Sequence, residues 1–156
     1  MRGSDTEAVD ALLTASFGRP DEARIVDTLR RGGDLAVGLV AELADAIAGV
    51  AILSQLRQPD GALGLGPIAV SEDARHRGVG GRLIEASVNW AEEAEASGIF
   101  VLGRPRYYTR HGFSLERAAE FSHTWPPDFM LALEIDADAL PGDGPLVYPP
   151  AFAALG

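Results

Sequence analysis

The sequence predicts an α/β domain whose sheet contains both parallel and antiparallel strands. Three observations predict this class: two helical patterns precede any strand, two β-branched runs then form a hairpin, and a strand–helix–strand unit spans residues 63–102. A hairpin joins antiparallel strands, whereas a strand–helix–strand crossover joins parallel ones, so the sheet is expected to be mixed. With 156 residues, 47% of them apolar, the chain is long enough for one domain over residues 1–156.

Two amphipathic helices are predicted at the start of the chain. Apolar residues recur at helical spacing over residues 5–17, and Gly18 follows the last turn. A second helical pattern opens at Pro20 and closes at Gly32–Gly33.

Three strand patterns follow, over residues 35–43, 47–56 and 63–70. The first two read as a hairpin, and the turn signal Pro59-Asp60-Gly61 separates them from the third. Pro67 lies inside the third strand and has no N–H to donate, so we expect a bulge or an unpaired side there.

A helix over residues 83–96 and a short buried strand over 99–102 complete the crossover. Beyond them the pattern predicts a helical turn over 105–110 and strands over 113–115 and 129–135. The tail from Pro141 is expected to be an ordered coil packed by Tyr148 and Phe152.

Composition excludes several kinds of chemistry. The chain has no cysteine, and all 13 basic residues are arginine. Disulfides, thiolate metal sites, cysteine nucleophiles, lysine-based phosphate loops and Schiff-base lysines are therefore excluded. Three scattered histidines without a paired acid motif predict no metal site.

The net charge of −10 makes the chain a poor non-specific binder of nucleic acid or anionic membranes, so we expect neither as a partner. No run approaches the about 20 apolar residues of a membrane-spanning helix. We therefore expect a cytoplasmic protein.

A segment rich in arginine and glycine separates the strand ending at residue 70 from the helix that follows. Glycines let a ligand approach the main chain, and free N–H groups at a helix start bind anions. In so acidic a chain, this cluster of positive charge indicates a bound phosphate or pyrophosphate; the alternative is a tight turn with solvated arginines. The candidate residues are Arg75, His76, Arg77, Gly78, Val79, Gly80, Gly81 and Arg82.

Two motifs around this segment resemble the signatures of the GNAT acetyltransferases. Residues 65–70 followed by R-x-x-G-x-G over 75–80 resemble the family's acyl-CoA-binding signature, and Tyr108-x-x-x-Gly112-Phe113 is similar to its Y-x-x-x-G-F element. The stretch 101–113 and the ending over 148–152 are similar to a bacterial branch of predicted N-acetyltransferases. The resemblance implies a mixed, mostly antiparallel sheet with a splayed parallel strand pair, flanked by helices.

The resemblance also implies an activity: transfer of an acetyl group from acetyl-CoA to a primary amine of an unidentified acceptor, by direct attack in a ternary complex. Tyr108 matches the tyrosine that protonates the leaving thiolate, whereas Tyr107 does not fit the motif spacing. For both tyrosines the alternative is a core aromatic with a satisfied hydroxyl. Residues 75–82 would take the pyrophosphate. The main chain that would bind the pantetheine arm belongs to Ile68, Ala69 and Val70.

Other points stay open at this level. No Asp or Glu lies on the strand over 63–70, so the general base is not identified; His123 is a candidate proton relay, with a structural role as the alternative. Many members of the family carry an asparagine just after the strand that matches residues 99–102, where this chain has Gly103-Arg104-Pro105. Members often dimerise, so a homodimer is a further expectation.

Two other functions compete with acetyl transfer. The same fold can serve as a non-catalytic acyl-CoA-binding sensor or interaction module, because a fold alone does not secure turnover. The anion-binding segment also suits a nucleotide or dinucleotide. Its spacing departs from G-x-G-x-x-G, however, and no acid follows the next strand, as a dinucleotide site requires.

Overall fold

The computed structural model describes residues 1–155 and contains a five-stranded central sheet. In spatial order its strands are β1 (Leu35–Leu43), β2 (Ala46–Gln55), β3 (Ala62–Val70), β4 (Gly98–Leu102) and β6 (Met130–Glu134). Strands β3 and β4 run parallel, and the other adjacent pairs are antiparallel. Two short segments, β5 (Phe121–Ser122) and β7 (Gly144–Pro145), form a separate parallel pair. The central sheet confirms the predicted fold class and differs from the parallel sheet of a dinucleotide-binding fold.

Helices cover both faces of the sheet. Helices α1 (Thr6–Phe17) and α2 (Asp21–Gly32) cover one face, and α3 (Val79–Glu93) covers the other. The short helices α4 (Pro105–Thr109) and α5 (Leu115–Ala119) follow β4 along the chain. Among residues 1–155, no helix has the length and apolar character needed to cross a bilayer.

The core consists of buried side chains on both faces of the sheet. Leu13 and Leu29 pack with Ile52 between the sheet and the first two helices. Ile84 packs with Leu65 beneath α3. The two layers hold the strands and helices together without disulfides, as the absence of cysteine requires.

The parallel pair β3–β4 separates halfway along β3. Pairing runs from Ala62–Gly98 to Leu65–Val101, after which β3 continues to Val70 against β2 alone. The register between β2 and β3 also shifts here, with one extra residue on β3 between Leu65 and Ile68. This confirms the bulge predicted at Pro67. A groove therefore opens between the second half of β3 and the end of β4.

Two predicted elements differ from the structure. The prediction of a strand over residues 113–115 is wrong. Ser114 makes only a single β-bridge, to Ala132. It acts as the N-cap of α5, and its Oγ accepts a hydrogen bond from the Arg117 N–H at 3.1 Å. Helix α3 begins at Val79, four residues earlier than predicted, because Gly78 adopts the left-handed conformation (φ 77°) and acts as the N-cap.

The C-terminal segment packs back on the domain as predicted. The rings of Tyr148 and Phe152 lie 5.2 Å apart in an edge-on arrangement, and the Tyr148 ring contacts Trp125 at 5.6 Å. The described part of the tail is thus held in place by aromatic contacts.

Candidate active site

The segment 75–82 forms a turn and the first turn of α3. Helix geometry leaves the amides of residues 79–81 without intrahelical partners. Among the main-chain hydrogen bonds that residues 1–155 make outside regular elements, none is donated by residues 76–81. The first turn of α3 contains no acid. These amides and the helix dipole therefore favour a bound anion.

Four basic side chains surround this turn and are exposed: Arg75, His76, Arg77 and Arg82. None of them takes part in the ion pairs formed within residues 1–155, whereas five arginines elsewhere do. Unpaired cations beside free amides suit the oxygens of a phosphate group. Their role as phosphate ligands stays a prediction.

The open edge of β3 presents main-chain groups to the groove. The Ser71 N–H donates to the Ala48 carbonyl at 2.7 Å, so alternation directs the Ala69 N–H to β2 and those of Ile68 and Val70 to the open edge. The Ala69 carbonyl likewise lies on the β2 side, 3.3 Å from the position of a Cβ on Gly49. The N–H and C=O of Ala69 therefore lie on the β2 side, so among the three predicted residues Ile68 and Val70 present N–H groups to the groove. That these three residues bind a cofactor stays a prediction.

Tyr108 lies on α4, next to the end of β4. Its carbonyl accepts hydrogen bonds from the N–H groups of His111 (2.9 Å) and Phe113 (3.4 Å), and Gly112 makes the intervening turn with φ 93°. This left-handed turn favours glycine and brings the buried Phe113 ring to 5.9 Å from the Tyr108 ring. The Y-x-x-x-G-F spacing therefore has a structural cause: it seats the tyrosine on a buried phenylalanine.

Each of the three tyrosines packs against the main chain of a glycine. An added Cβ would lie 2.4 Å from Tyr108 Cε2 at Gly103, 2.4 Å from Tyr107 Oη at Gly80, and 2.9 Å from Tyr148 Cε2 at Gly64. These distances are shorter than real Cβ contacts, so a larger residue would displace the ring. Gly103 thus makes room for Tyr108. Gly80 makes room for Tyr107 in addition to its predicted place at the anion site.

The Tyr108 phenol is protonated throughout the neutral range. Burial, with a smaller contribution from Tyr107, raises the pKa of Tyr108 to about 12. The two rings meet edge-on, with centroids 5.3 Å apart. A protonated phenol at the groove is chemically able to donate a proton to a leaving group.

A cavity of about 350 Å³ opens beside Tyr108. One wall is the bulged part of β3, residues 65–68, together with Leu102 at the end of β4. A second wall comes from α1 and α2. A third wall is formed by residues that follow α5, among them the aromatic side chains of Trp125 and Tyr148. Elements from the whole length of the chain thus meet at one point.

His123 supports this wall and does not line the cavity. Its Nδ1 accepts a hydrogen bond from the Trp125 N–H at 3.1 Å. This contact holds the loop that carries Trp125 and favours the structural role of His123 over a proton relay.

Glu22 is the carboxylate of the cavity wall, and sequence analysis missed it. The residue is 4% exposed, and both carboxylate oxygens accept hydrogen bonds from Arg19, from Nε at 3.0 Å and from Nη2 at 2.7 Å. The available signal was its spacing, because residues 22, 25, 26 and 29 fall on one helix face. An acid on the buried face of a helix needs a partner, and Arg19 supplies it.

Comparison with known proteins identifies the class of protein that this fold and groove represent. The model of the acetyltransferase (GNAT) domain matches residues 34–115, which is more than half of the chain. The chain belongs to the GNAT family of acetyltransferases. It is 32% identical over 126 residues to YhbS, an uncharacterised N-acetyltransferase of Escherichia coli K12, covering 78% of this chain and 75% of the relative.

Two solved structures share the whole fold. E. coli YhbS in complex with CoA superposes with a TM-score of 0.91 at 29% identity, covering 100% of this chain and 91% of that one. A GNAT acetyltransferase from Brucella melitensis in complex with acetyl-CoA has a TM-score of 0.82 at 28% identity, with coverage of 97% and 94%. These matches confirm the predicted family and its mixed sheet with one parallel pair.

Proposed function

We propose that the protein transfers an acetyl group from acetyl-CoA to a primary amine by direct attack within a ternary complex. The observation that carries this proposal is the separation of β3 from β4 beside Tyr108, which leaves the N–H groups of Ile68 and Val70 unpaired by the sheet. The complexes of YhbS with CoA and of the Brucella relative with acetyl-CoA support the same co-substrate here.

In this proposal the pantetheine arm lies along the open edge of β3. The diphosphate meets the free amides at the start of α3, with Arg75, Arg77 and Arg82 supplying positive charge. The absence of an acid from the first turn of α3 supports this orientation, since a carboxylate there would compete with the phosphates.

The reaction needs one nucleophile and one acid. The neutral amine nitrogen attacks the thioester carbon and forms the C–N bond, while an open-edge amide stabilises the negative charge on the carbonyl oxygen. The C–S bond then breaks, and the departing sulfur takes the proton of Tyr108, which recovers one from solvent. The amine proton also goes to solvent, because residues 62–70 carry no carboxylate and Glu22 is held by Arg19.

Replacement of Tyr108 by phenylalanine tests the assigned acid. We expect Tyr108→Phe to lower kcat for CoA-thiol release by about 10²- to 10⁴-fold, the usual contribution of a general acid. The Kd for acetyl-CoA, measured by calorimetry, should stay at the wild-type value. Tyr107→Phe removes the adjacent hydroxyl and should have much the smaller effect on kcat; the reverse order would contradict the assignment.

Ligand-induced stabilisation separates the competing functions. A ligand at 100 times its Kd adds about 2.7 kcal/mol to the free energy of unfolding, which a thermal shift detects. We expect this shift with acetyl-CoA and none with NAD. A shift with NAD alone would refute the proposal, and a shift with acetyl-CoA without transfer to any amine would favour a sensor.

A further inference from the structure

The cavity beside Tyr108 has mainly apolar walls. Besides Tyr108, four aromatic rings line it, and Ile25 lines it too; the four rings belong to Phe17, Trp125, Tyr148 and Phe152. The Tyr148 ring is in edge-on contact with both Trp125 and Phe152, so three of the four rings form one continuous aromatic surface.

The single carboxylate in these walls is already neutralised. Glu22 accepts two hydrogen bonds from the guanidinium of Arg19, at 3.0 and 2.7 Å, and its side chain is 5% exposed. A bidentate pair of this kind satisfies the charge and both oxygens. Among the described residues that line the cavity, none therefore offers a free anion to a second ammonium group, although the protein as a whole is strongly acidic.

We propose that the acceptor is a small monoamine with an apolar, ring-sized body, such as an arylalkylamine, and not a polyamine, an amino sugar or a lysine side chain. This inference rests on the proposed acetyl transfer and names the acceptor class for that site. A polycationic or polyhydroxylated acceptor would lose hydration against aromatic walls that return few hydrogen bonds. A flat apolar body instead gains from burial against the rings.

The volume of the cavity sets the size of that body. At about 350 Å³ it lies at the lower end of ligand sites, which span about 300–1,000 Å³. Part of the volume borders residues 65–68 and Tyr108, where the thioester would lie in the proposed complex. What remains suits a single ring on a short chain.

Trp125 provides a binding measurement that does not depend on turnover. The chain has two tryptophans, and Trp90 lies on α3, outside the cavity. In a Trp90→Phe variant loaded with CoA, we expect 2-phenylethylamine to change the Trp125 emission saturably. Spermidine and glucosamine at matched ionic strength should leave the emission unchanged; a saturable response to either of them, with none to 2-phenylethylamine, would overturn the inference.

Two exposed phenylalanines give a matched pair of variants for the transfer reaction. Phe17 is 41% exposed and lines the cavity, whereas Phe129 is 48% exposed and does not. Phe17→Ser should lower kcat/KM for 2-phenylethylamine by about tenfold or more, the scale on which apolar pockets discriminate. Its kcat/KM for ethylamine, which has no ring to bury, should fall by a clearly smaller factor. Phe129→Ser should leave both values at the wild-type level, and equal losses in the two variants would count against the cavity.

Failure of this inference differs from failure of the proposed function. Binding of 2-phenylethylamine without its acetylation would support the apolar acceptor site and refute the proposed transfer. Preferential acetylation of spermidine or glucosamine would support the transfer and overturn the acceptor class.

Discussion

Replacement of Gly103 by alanine should displace Tyr108 while leaving its hydroxyl in place. The new Cβ would lie 2.4 Å from Cε2 of the ring, with Cδ2 at 3.2 Å and Cζ at 3.3 Å. Gly103 has no positive φ, so alanine meets no backbone strain there. The effect of the substitution on the site therefore acts through the tyrosine ring, whose atoms are the three nearest to the new Cβ.

The size of the displacement follows from these contacts. The shortest distance falls 1.0 Å below the 3.4 Å at which ordinary van der Waals contact begins. The ring cannot avoid this by rotating alone, because it is edge-on to both Tyr107 and Phe113. A misplacement of about 1 Å at a reacting group costs on the order of 100-fold in rate. We therefore expect kcat to fall by about 100-fold, or roughly 2.7 kcal/mol in activation free energy.

Steady-state release of the CoA thiol measures this loss of kcat. A double variant shows whether the loss depends on the Tyr108 hydroxyl. With Tyr108→Phe the hydroxyl is already absent, so adding Gly103→Ala should lower kcat much less than it does in the wild type. The Kd for acetyl-CoA should not change, because the anion-binding segment is untouched. Gly142→Ala is the matched control, since nothing lies within 4 Å of its added Cβ.

A folded Gly103→Ala protein with wild-type kcat would refute this reasoning, because it would show that the position of Tyr108 does not matter for the reaction. Fully additive losses in the double variant would show that the Gly103 effect does not act through the hydroxyl. Circular dichroism below the unfolding transition separates both outcomes from a loss of folded protein.

Three further predictions concern the Gly80–Tyr107 contact, the proposed phosphate site and the pKa of Tyr108. Gly80→Ala should lower the free energy of unfolding of the wild type, measured in urea, by about 1–3 kcal/mol, because the new Cβ meets the Tyr107 hydroxyl. In a Tyr107→Phe variant the nearest ring atom lies at 3.6 Å, so the same substitution should raise the free energy of unfolding by up to about 1 kcal/mol. A loss of stability in both backgrounds would contradict the contact. Arg77→Ala should weaken acetyl-CoA binding several-fold at low salt and by a smaller factor at high salt. The control Arg24→Ala, which removes an exposed arginine of α2, should leave the Kd for acetyl-CoA unchanged. Equal effects of the two substitutions would argue against the proposed phosphate site. Because the pKa of Tyr108 is raised to about 12, its acid form persists as pH rises, and kcat should show no alkaline loss before about pH 11; a loss near pH 10 would contradict this.

Local patterns predicted most of the fold. Helical spacing and terminal glycines located α1 and α2, and the crossover over residues 63–102 required the parallel pair. The bulge could be predicted from Pro67 alone, because proline has no N–H to donate to a neighbouring strand, whatever the rest of the fold. The misplaced strand over 113–115 shows the limit of such patterns, since Ser114 uses its side chain to cap α5.

Some residues of the candidate site could likewise be predicted from local patterns, whereas others could not. Tyr108 and residues 75–82 could be proposed from the sequence because each belongs to a motif of contiguous residues. Glu22 resembled an ordinary acid in the first turn of a helix, where acids are common. Nothing in the sequence around Trp125 or Tyr148 indicated that these rings meet each other and Glu22 in one cavity.

The sequence by itself determined the order of the elements, the position of the bulge and the chemical types available, with arginine as the basic residue and no thiol. The tertiary structure alone decided which glycines pack against tyrosine rings and which residues line the cavity. The physical reason is that such contacts join segments far apart in the chain. They form only when the helices and the C-terminal segment pack onto the sheet, and neither residue of a pair such as Gly64 and Tyr148 specifies the other locally.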